Sequence, residues 1–258
     1  MNALDRALIS KAGHDNGFEH VLADGPDGLV LASARHGARA EVAMPASGGY
    51  SVALQAPNPA LLPELARAFA AATAGGDFVI STEAELARLL RRAAGLARAL
   101  PSQAAQDYET AVAKEMAQLP PQLAGTEVER VVRQRVGQSK FRDAMLDYWG
   151  GACAVTGVAL PDVLRASHAK PWAECVSDAE RLDVFNGFLL SANLDALFDR
   201  FLISFDETGA LLLSRGVSQH VLEQLGLSDD LRLRWLAPEH QTYLEHHRLR
   251  FQDNPDLP

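Results

Sequence analysis

One histidine, one asparagine and two aspartates lie close together in the second half of the chain, at His168, Asn186, Asp195 and Asp199. An imidazole with an ordinary pKa of about 6.5 can take a proton from water near neutral pH. Asn186 could fix that imidazole by hydrogen bonding. Two neighbouring carboxylates repel one another unless a cation lies between them, and oxygen ligands suit magnesium or manganese. These residue types together indicate metal-assisted phosphodiester hydrolysis with His168 as the base.

The surrounding residues predict the order strand, long loop, strand and helix. Residues 164–168 have the character of a strand that Pro171 ends, because proline supplies no N–H to a sheet. An Asn-Gly turn dipeptide precedes residues 188–190, which predict a second strand. A helix is predicted over residues 192–200.

The predicted helix would present its two aspartates together. Asp195 and Asp199 are four residues apart, so both carboxylates leave one face about one turn apart. Leu194, Leu197 and Phe198 lie on another face, which we expect to pack against the strands.

Five segments in this half of the chain carry a recognisable pattern. They are Gly137-Gln-Ser-Lys-Phe-Arg142, Trp149-Gly-Gly-Ala-Cys-Ala-Val-Thr-Gly157, Ala166-Ser-His-Ala-Lys-Pro-Trp172, Asn186-Gly-Phe-Leu-Leu-Ser191 and Asp195-Ala-Leu-Phe-Asp-Arg200. The pattern resembles the HNH endonucleases, also called His-Me finger or ββα-metal nucleases. More narrowly, it is similar to the branch found in bacterial restriction and defence proteins. The resemblance covers roughly residues 125 to 250.

The resemblance implies a role for each residue of the set. His168 would be the general base, and Asn186 would orient it. Ser167 stands just before the base, where the family often carries a metal ligand. Asp195 replaces the last motif histidine, which is a metal ligand, and Asp199 lies where some members have one more ligand. The implied cofactor is a divalent ion, with Mg²⁺ or Mn²⁺ expected.

Basic residues precede the core. The residues Arg130, Arg133, Arg135, Lys140 and Arg142 lie in a run that contains no acid. Such a run is usually a solvated helix face. Beside an HNH core we expect contacts with backbone phosphates of DNA, which supply affinity rather than sequence readout. Lys170 and Arg200 are two further candidates to offset phosphate charge.

The composition sets limits on partners and location. The 258 residues carry a net charge of −9, which opposes nonspecific association with a polyanion, so affinity for DNA must come from local basic groups. The first residues lack an apolar signal core, and no run is apolar for the roughly 18 residues that a membrane span requires. Two cysteines argue against a disulfide framework and are too few for a structural zinc, so we expect a cytoplasmic protein without structural zinc.

The fold class predicted for the whole chain is α+β. Residues 1–118 predict an N-terminal domain, an antiparallel meander with packed helices, whose expected role is sensing, target recognition or dimerisation. Residues 119–125 are proline-rich and predict a linker. Residues 126–258 predict the HNH domain, a ββα core at 150–205 flanked by helices.

Strands of the N-terminal domain are predicted at 18–22, 28–34, 38–44, 50–54 and 78–81. Helices are predicted from Pro59, from Thr82 and over 102–116. In the second half, one helix is predicted to open at Thr126 and another at Ser139, and beyond the core we expect a hairpin at 202–205 and 210–214, then helices at 217–225 and 238–251.

The functional prediction is a metal-dependent DNA endonuclease acting in restriction or defence. A homodimer is one arrangement that would let a single-site nuclease cut both strands. Two alternatives stay open. One is a non-catalytic DNA-binding or regulatory module with a degenerate HNH fold, since Ser167 and Asp195 replace stronger ligands. The other is an RNA nuclease, because the phosphate chemistry is shared.

Overall fold

The computed structural model describes residues 1–74, 76–101, 103–118 and 125–252. The chain divides into two compact units, Met1–Gln103 and Ala104–Pro258. The predicted α+β class is confirmed. Apart from Gly125, the predicted linker lies outside the described residues, and the domain boundary stays a prediction. Within the described residues, no helix combines the length and apolar character that crossing a bilayer requires.

The first unit contains an antiparallel sheet with helices, as the sequence predicts. Its described strands are β1 (His20–Asp24), β2 (Gly28–Ala32), β3 (Arg39–Ala43), β4 (Tyr50–Gln55), β5 (Thr73–Ala74) and β6 (Asp77–Ile80). They are ordered β1-β2-β3-β4-β6-β5. Its helices are α1 (Ala3–Asp15), α2 (Leu61–Ala68) and α3 (Glu83–Ala99). The predicted cap of α3 is present, since the Thr82 side chain accepts a hydrogen bond from the backbone N–H of Glu85.

Helix α1 is not among the predicted elements, and its starting signal is local. The Asn2 side chain accepts from the Asp5 N–H at 2.9 Å, and the Asp5 carboxylate accepts from the Asn2 N–H at 2.7 Å. This reciprocal capping satisfies two N–H groups that the first turn would otherwise leave unpaired. The helix has little amphipathic character, which explains why apolar periodicity does not reveal it.

The second unit consists mainly of helices around two small hairpins. The described helices are α4 (Gln103–Ala117), α5 (Thr126–Trp149), α6 (Asp178–Leu182), α7 (Ala192–Phe198), α8 (Gln219–Gln224) and α9 (His240–Gln252). The described strands are β7 (Leu164–His168), β8 (Gly187–Ser191), β9 (Ile203–Phe205) and β10 (Leu211–Leu213). Strands β7 and β8 pair antiparallel, as do β9 and β10.

Helix α5 is continuous, which corrects the prediction of separate helices opening at Thr126 and Ser139. Gly137 lies in its interior, where glycine costs helix stability but does not break the helix. A Cβ atom at Gly137 would overlap the ring of Trp172. This glycine therefore marks a close packing contact rather than a helix end.

Helix α7 covers the β7–β8 hairpin and completes the predicted strand, strand and helix order. The predicted packing face is confirmed, since Leu194, Leu197 and Phe198 are all buried. The Phe198 ring meets that of Phe188 in β8 edge to face, with centroids 5.7 Å apart. Such aromatic pairs stabilise the core beyond the apolar area that they bury.

The pairing of His168 with Gly187 fixes where the histidine emerges from the hairpin. A Cβ atom at Gly187 would overlap the carbonyl oxygen of Ser167 and would lie 3.0 Å from the ring of Phe141. The backbone of Gly187 is extended, so the requirement for glycine comes from space and not from its dihedral angles.

We expect the substitution Gly187→Ala to lower the free energy of unfolding by about 1–3 kcal/mol, because an extra methyl group must push the two strands and Phe141 apart. Gly125→Ala is the matched control, since a Cβ atom there meets nothing within 4 Å. Its cost should stay within about 1 kcal/mol, the effect of a changed helix N-cap. Urea unfolding of both variants measures the difference, and equal costs would contradict the close approach.

Candidate active site

A cleft of about 510 Å³ in the second unit brings together His168, Asp195 and Asp199. The histidine is supplied by the end of β7, and the aspartates come from α7 and its C-terminal end. The other lining residues are Gln138, Phe141, Arg142, Arg165, Ala166, Pro171, Trp172, Phe201 and His247. Three of the predicted catalytic and metal-binding residues therefore share one cavity with Arg142, a predicted phosphate contact.

The His168 imidazole is held between aromatic rings and one backbone carbonyl. It stacks on Phe141, with ring centroids 3.8 Å apart and planes 18° apart. Trp172 approaches it edge on at 5.6 Å. Its Nε2 lies 2.8 Å from the carbonyl oxygen of Arg181.

This hydrogen bond identifies the nitrogen that can act as a base. A carbonyl oxygen only accepts hydrogen bonds, so Nε2 carries the proton and Nδ1 keeps the lone pair of the neutral ring. Burial lowers the pKa of His168 to about 4, although the bond to Arg181 opposes that shift. The imidazole is therefore neutral throughout the physiological range and able to accept a proton at Nδ1.

The expected hydrogen bond between Asn186 and the imidazole is not formed. Asn186 is fully buried, and its Oδ1 accepts from the Lys170 N–H at 2.8 Å. Its Nδ2 lies 3.0 Å from the Glu180 carbonyl oxygen and 3.3 Å from both the Lys170 carbonyl oxygen and the Cys175 sulfur. Asn186 therefore holds the loop that joins β7 to β8, and Arg181 holds the ring.

Arg181 fastens the same loop with its side chain. Its guanidinium donates to the carbonyl oxygens of Trp172 at 3.2 Å and Cys175 at 2.6 Å, and to the Asp178 carboxylate at 2.9 Å. It also lies over the Trp172 ring, 5.7 Å from the centroid. Arg181, whose carbonyl group fixes the tautomer of His168, is therefore itself held in place.

The two aspartates differ in their surroundings. The Ser167 hydroxyl donates a hydrogen bond to the Asp195 carboxylate. Crowding of its carboxyl group by protein atoms and repulsion by Asp195 raise the pKa of Asp199 to about 6, while Arg200 opposes the shift. Ser167 is buried and already bonded to Asp195, so the geometry makes it a positioning group for that carboxylate.

The two carboxylates of the cleft are its candidate metal ligands. In the described part of the chain, no three His, Cys, Asp or Glu side chains are grouped so that they could hold a metal ion. Asp195 and Asp199 therefore supply two oxygen groups. That number is compatible with Mg²⁺, which is often bound by one or two carboxylates together with water and substrate phosphates.

Most of the predicted phosphate-binding cations of α5 contact carboxylates of the protein itself. Arg130 pairs with Glu127, Arg135 pairs with Glu115, and Arg133 pairs with Glu109, Glu129 and Asp178. The carboxylates around Arg133 raise its pKa above the ordinary value. In the loop after β7, Lys170 pairs with Glu180 at 2.8 Å. Lys140 lies instead in a second cleft beside Lys114 and Arg135.

Several residues of the site are not singled out by the sequence pattern. Phe141 and Trp172 surround the imidazole, and Arg165 lines the cleft three residues before His168. Side chains alternate along a strand, so positions 165 and 168 start on opposite faces of β7 and the sequence gives no signal that Arg165 shares the cleft. The role of Arg181 depends on contacts across the loop, for which the sequence pattern gives no signal.

We expect Asp199→Asn to stabilise the metal-free protein at pH 8 by about 1 kcal/mol, a value reduced for solvent screening because Asp199 is exposed. A raised pKa stabilises the folded state below the unfolded value of about 3.8, and this stability is lost as the pH rises through about 6. The amide removes the unfavourable charge above pH 6, so no gain is expected at pH 4.

Urea unfolding in EDTA at both pH values measures the effect of Asp199→Asn. Asp143→Asn is the control, because Asp143 is exposed and does not line the cleft. We expect its effect to stay within about 0.5 kcal/mol. The same gain at both pH values, or in both variants, would contradict the repulsion between Asp195 and Asp199.

We expect the half-buried imidazole of His168, which lies against Phe141 and Trp172, to make the folded state acid-sensitive. Its pKa is lowered, so the unfolded chain binds an additional proton between about pH 6.5 and pH 4. The stability that comes from the neutral ring is present above pH 6.5 and is lost as the pH falls through that window. The loss is on the order of 3 kcal/mol.

This loss of stability is tested by measuring the free energy of unfolding between pH 7 and pH 4 for the wild type and for His168→Gln. The decline should be smaller in the variant, whatever its absolute stability. In addition, ¹⁵N spectra of the imidazole should report a proton on Nε2 at pH 7. A ring that titrates near pH 6.5, or one protonated on Nδ1, would overturn the assignment of the base nitrogen.

A known protein family matches the segment of the chain that builds the cleft. Residues 153–206 match the family model HNH_2, described as HNH endonuclease. The search of curated proteins gave no significant match. The matched residues include His168, Asn186, Asp195 and Asp199, together with β7, β8 and α7. The segment that builds the candidate site therefore belongs to the HNH endonuclease family.

Proposed function

We propose that the chain is a metal-dependent endonuclease that hydrolyses phosphodiester bonds of DNA. The observation that carries the proposal is the meeting of His168, Asp195 and Asp199 in one cleft of an HNH segment. A base and a pair of carboxylates are the groups that such hydrolysis requires.

His168 is the proposed general base. With Nε2–H bonded to the Arg181 carbonyl, Nδ1 takes a proton from the attacking water. The low pKa keeps the ring deprotonated at neutral pH, and Phe141 keeps its plane in place. Asn186 and Arg181 act as positioning residues through the loop that they hold, and neither contributes a proton.

Asp195 and Asp199 are the residues that would hold a divalent cation, with Mg²⁺ or Mn²⁺ as the proposed ion. The raised pKa of Asp199 supports this assignment, because a cation between the carboxylates would remove the repulsion that contributes to the shift. Ser167 orients Asp195 through its hydroxyl group. When bound, such an ion polarises the scissile phosphate and stabilises the leaving oxygen.

Phosphate contacts are proposed for Lys140, for Arg200 and for Arg142, which lines the cleft. Arg130, Arg133, Arg135 and Lys170 remain further candidates, but each would have to exchange a carboxylate partner for a phosphate. Affinity that depends on such exchange should be weak at physiological salt, because the protein already screens these charges.

The biological proposal is restriction of, or defence against, foreign DNA by a cytoplasmic protein. Residues 1–118 are the proposed N-terminal domain, whose role is sensing, recognition of the target or dimerisation. A homodimer would place two active sites on one duplex and so allow both strands to be cut.

A binding module without catalysis is the second candidate. It is favoured by the absence, among the described residues, of three grouped ligand side chains, and by the engagement of Ser167 with Asp195. Such a module would bind DNA and leave it uncut.

Plasmid cleavage by the purified full chain tests the choice. We expect nicking with Mg²⁺ or Mn²⁺ and none in EDTA. His168→Ala should lower the rate by about 10²–10⁴-fold, the usual contribution of a general base. Asp195→Asn and Asp199→Asn should also abolish nicking, whereas Asp143→Asn should keep the wild-type rate.

Parallel reactions with single-stranded DNA and RNA decide the substrate. Preferential cleavage of RNA would replace DNA as the substrate and leave the site intact. Wild-type protein that binds plasmid but does not cut it with any of these ions would favour the binding module.

A further inference from the structure

Two arginines of the cleft share one backbone acceptor. Arg142 Nη1 and Arg165 Nη1 both donate to the carbonyl oxygen of Leu164, at 2.6 and 2.9 Å. Arg142 Nη2 also donates to Pro161 O at 2.7 Å, and Arg165 Nη1 to Asp162 O at 3.1 Å. The two guanidinium groups are therefore held within about 6 Å of one another, a distance at which like charges repel.

The acceptors of these two arginines are neutral. Across the residues that the structure describes, neither Arg142 nor Arg165 forms an ion pair with a carboxylate. This distinguishes them from Arg130, Arg133 and Arg135, each of which has an acidic partner. In a chain with a net charge of −9, two adjacent cations without a carboxylate partner indicate an anion site.

The carbonyl bonds leave donors for an anion. A guanidinium has five N–H donors in a planar fork. The bonds described use Nη1 and Nη2 of Arg142 but only Nη1 of Arg165, so Nε and Nη2 of Arg165 stay available. Arg165 is exposed, and Arg142 is half-buried. Fixed guanidinium forks suit phosphate oxygens, which they can bind through two parallel hydrogen bonds.

The position of the pair defines the ligand further. Arg142 and Arg165 line the same cleft as His168, Asp195 and Asp199. The cleft thus has a carboxylate pair and a guanidinium pair among its walls, and a phosphodiester between them could reach the arginines while a cation binds the acids.

We propose that Arg142 and Arg165 form a guanidinium clamp for the phosphodiester backbone of the nucleic acid. The clamp rests on the proposed function for its ligand, but its role is binding and not proton transfer. Arg165 is the arginine expected to contact the ligand most directly, because it is more exposed than Arg142 and has N–H donors available at Nε and Nη2. Arg142 fixes the carbonyl on which both depend.

The clamp is tested by measuring how tightly the full chain binds duplex DNA in EDTA. The parent protein for these measurements carries both Asp195→Asn and Asp199→Asn. These changes remove the acidic charges, so neither metal nor cleavage takes part. Affinity is measured over a range of NaCl concentrations, with Arg165→Gln, Arg165→Lys or Arg142→Gln added. Arg215→Gln is the control, because Arg215 is exposed and does not line the cleft.

We expect Arg165→Gln to weaken binding about 3- to 10-fold at low salt and to reduce the slope of log K against log[salt] by about 0.9, the value for one lost phosphate contact. Arg165→Lys should retain the slope, since it keeps the charge. Arg215→Gln should change neither quantity. Arg142→Gln should also reduce the slope, and urea unfolding shows whether that variant is folded.

An Arg165→Gln slope equal to that of Arg215→Gln overturns the clamp, even if the wild-type chain cleaves plasmid. A parent double variant that does not bind DNA also overturns it. A reduced slope in Arg165→Gln supports the clamp even if the wild-type chain never cleaves, in which case the proposed catalysis fails and the anion site stands.

Discussion

The hydrogen bonds of the buried Asn186 side chain are the constraint on which the candidate site depends. A buried carboxamide must satisfy both its oxygen and its nitrogen, and Asn186 does so with backbone groups of Lys170 and Glu180. These bonds close the ends of the loop between β7 and β8 onto one another. An aspartate could keep the bond to the Lys170 N–H, but it would place a negative oxygen against two carbonyl groups. The site therefore needs an amide at this position, although the amide does not touch His168.

The same loop is tied down from outside the family segment. In α9, Tyr243 donates to the Asp183 carboxylate at 3.0 Å, and the His246 Nε2 lies 2.7 Å from the Glu174 carboxylate. His247 in the same helix is buried, and it lines the cleft. Helix α9 lies beyond residues 153–206, so the matched segment contains the chemistry but not all of the structure that holds it. We infer that the isolated segment would place His168 less firmly than the whole second unit does.

The sequence was sufficient where structure is determined by neighbours in the chain. Strand β7 has the predicted bounds, and α7 buries the predicted leucines because each depends on local alternation or periodicity. The sequence is not sufficient to predict contacts between residues that are far apart in the chain. Helix α5 itself supplies Glu129 as a local partner for Arg133, but Glu109 and Asp178 come from other elements to meet the same arginine. The family pattern likewise points to Asn186, but its bonding partners can be found only from the folded loop.

Charge in the cleft is arranged at a cost to stability. The pKa of Asp199 is raised by crowding from protein atoms and by repulsion from Asp195. Arg142 and Arg165 donate hydrogen bonds to the same neutral carbonyl group. Adjacent like charges destabilise a folded chain unless a ligand of opposite sign offsets them. If a cation binds the aspartates and a phosphodiester binds the arginines, each ligand removes one of these repulsions and attracts the other ligand. On the proposed function, metal and nucleic acid should therefore bind with positive coupling, which explains how an acidic chain could retain affinity for a polyanion.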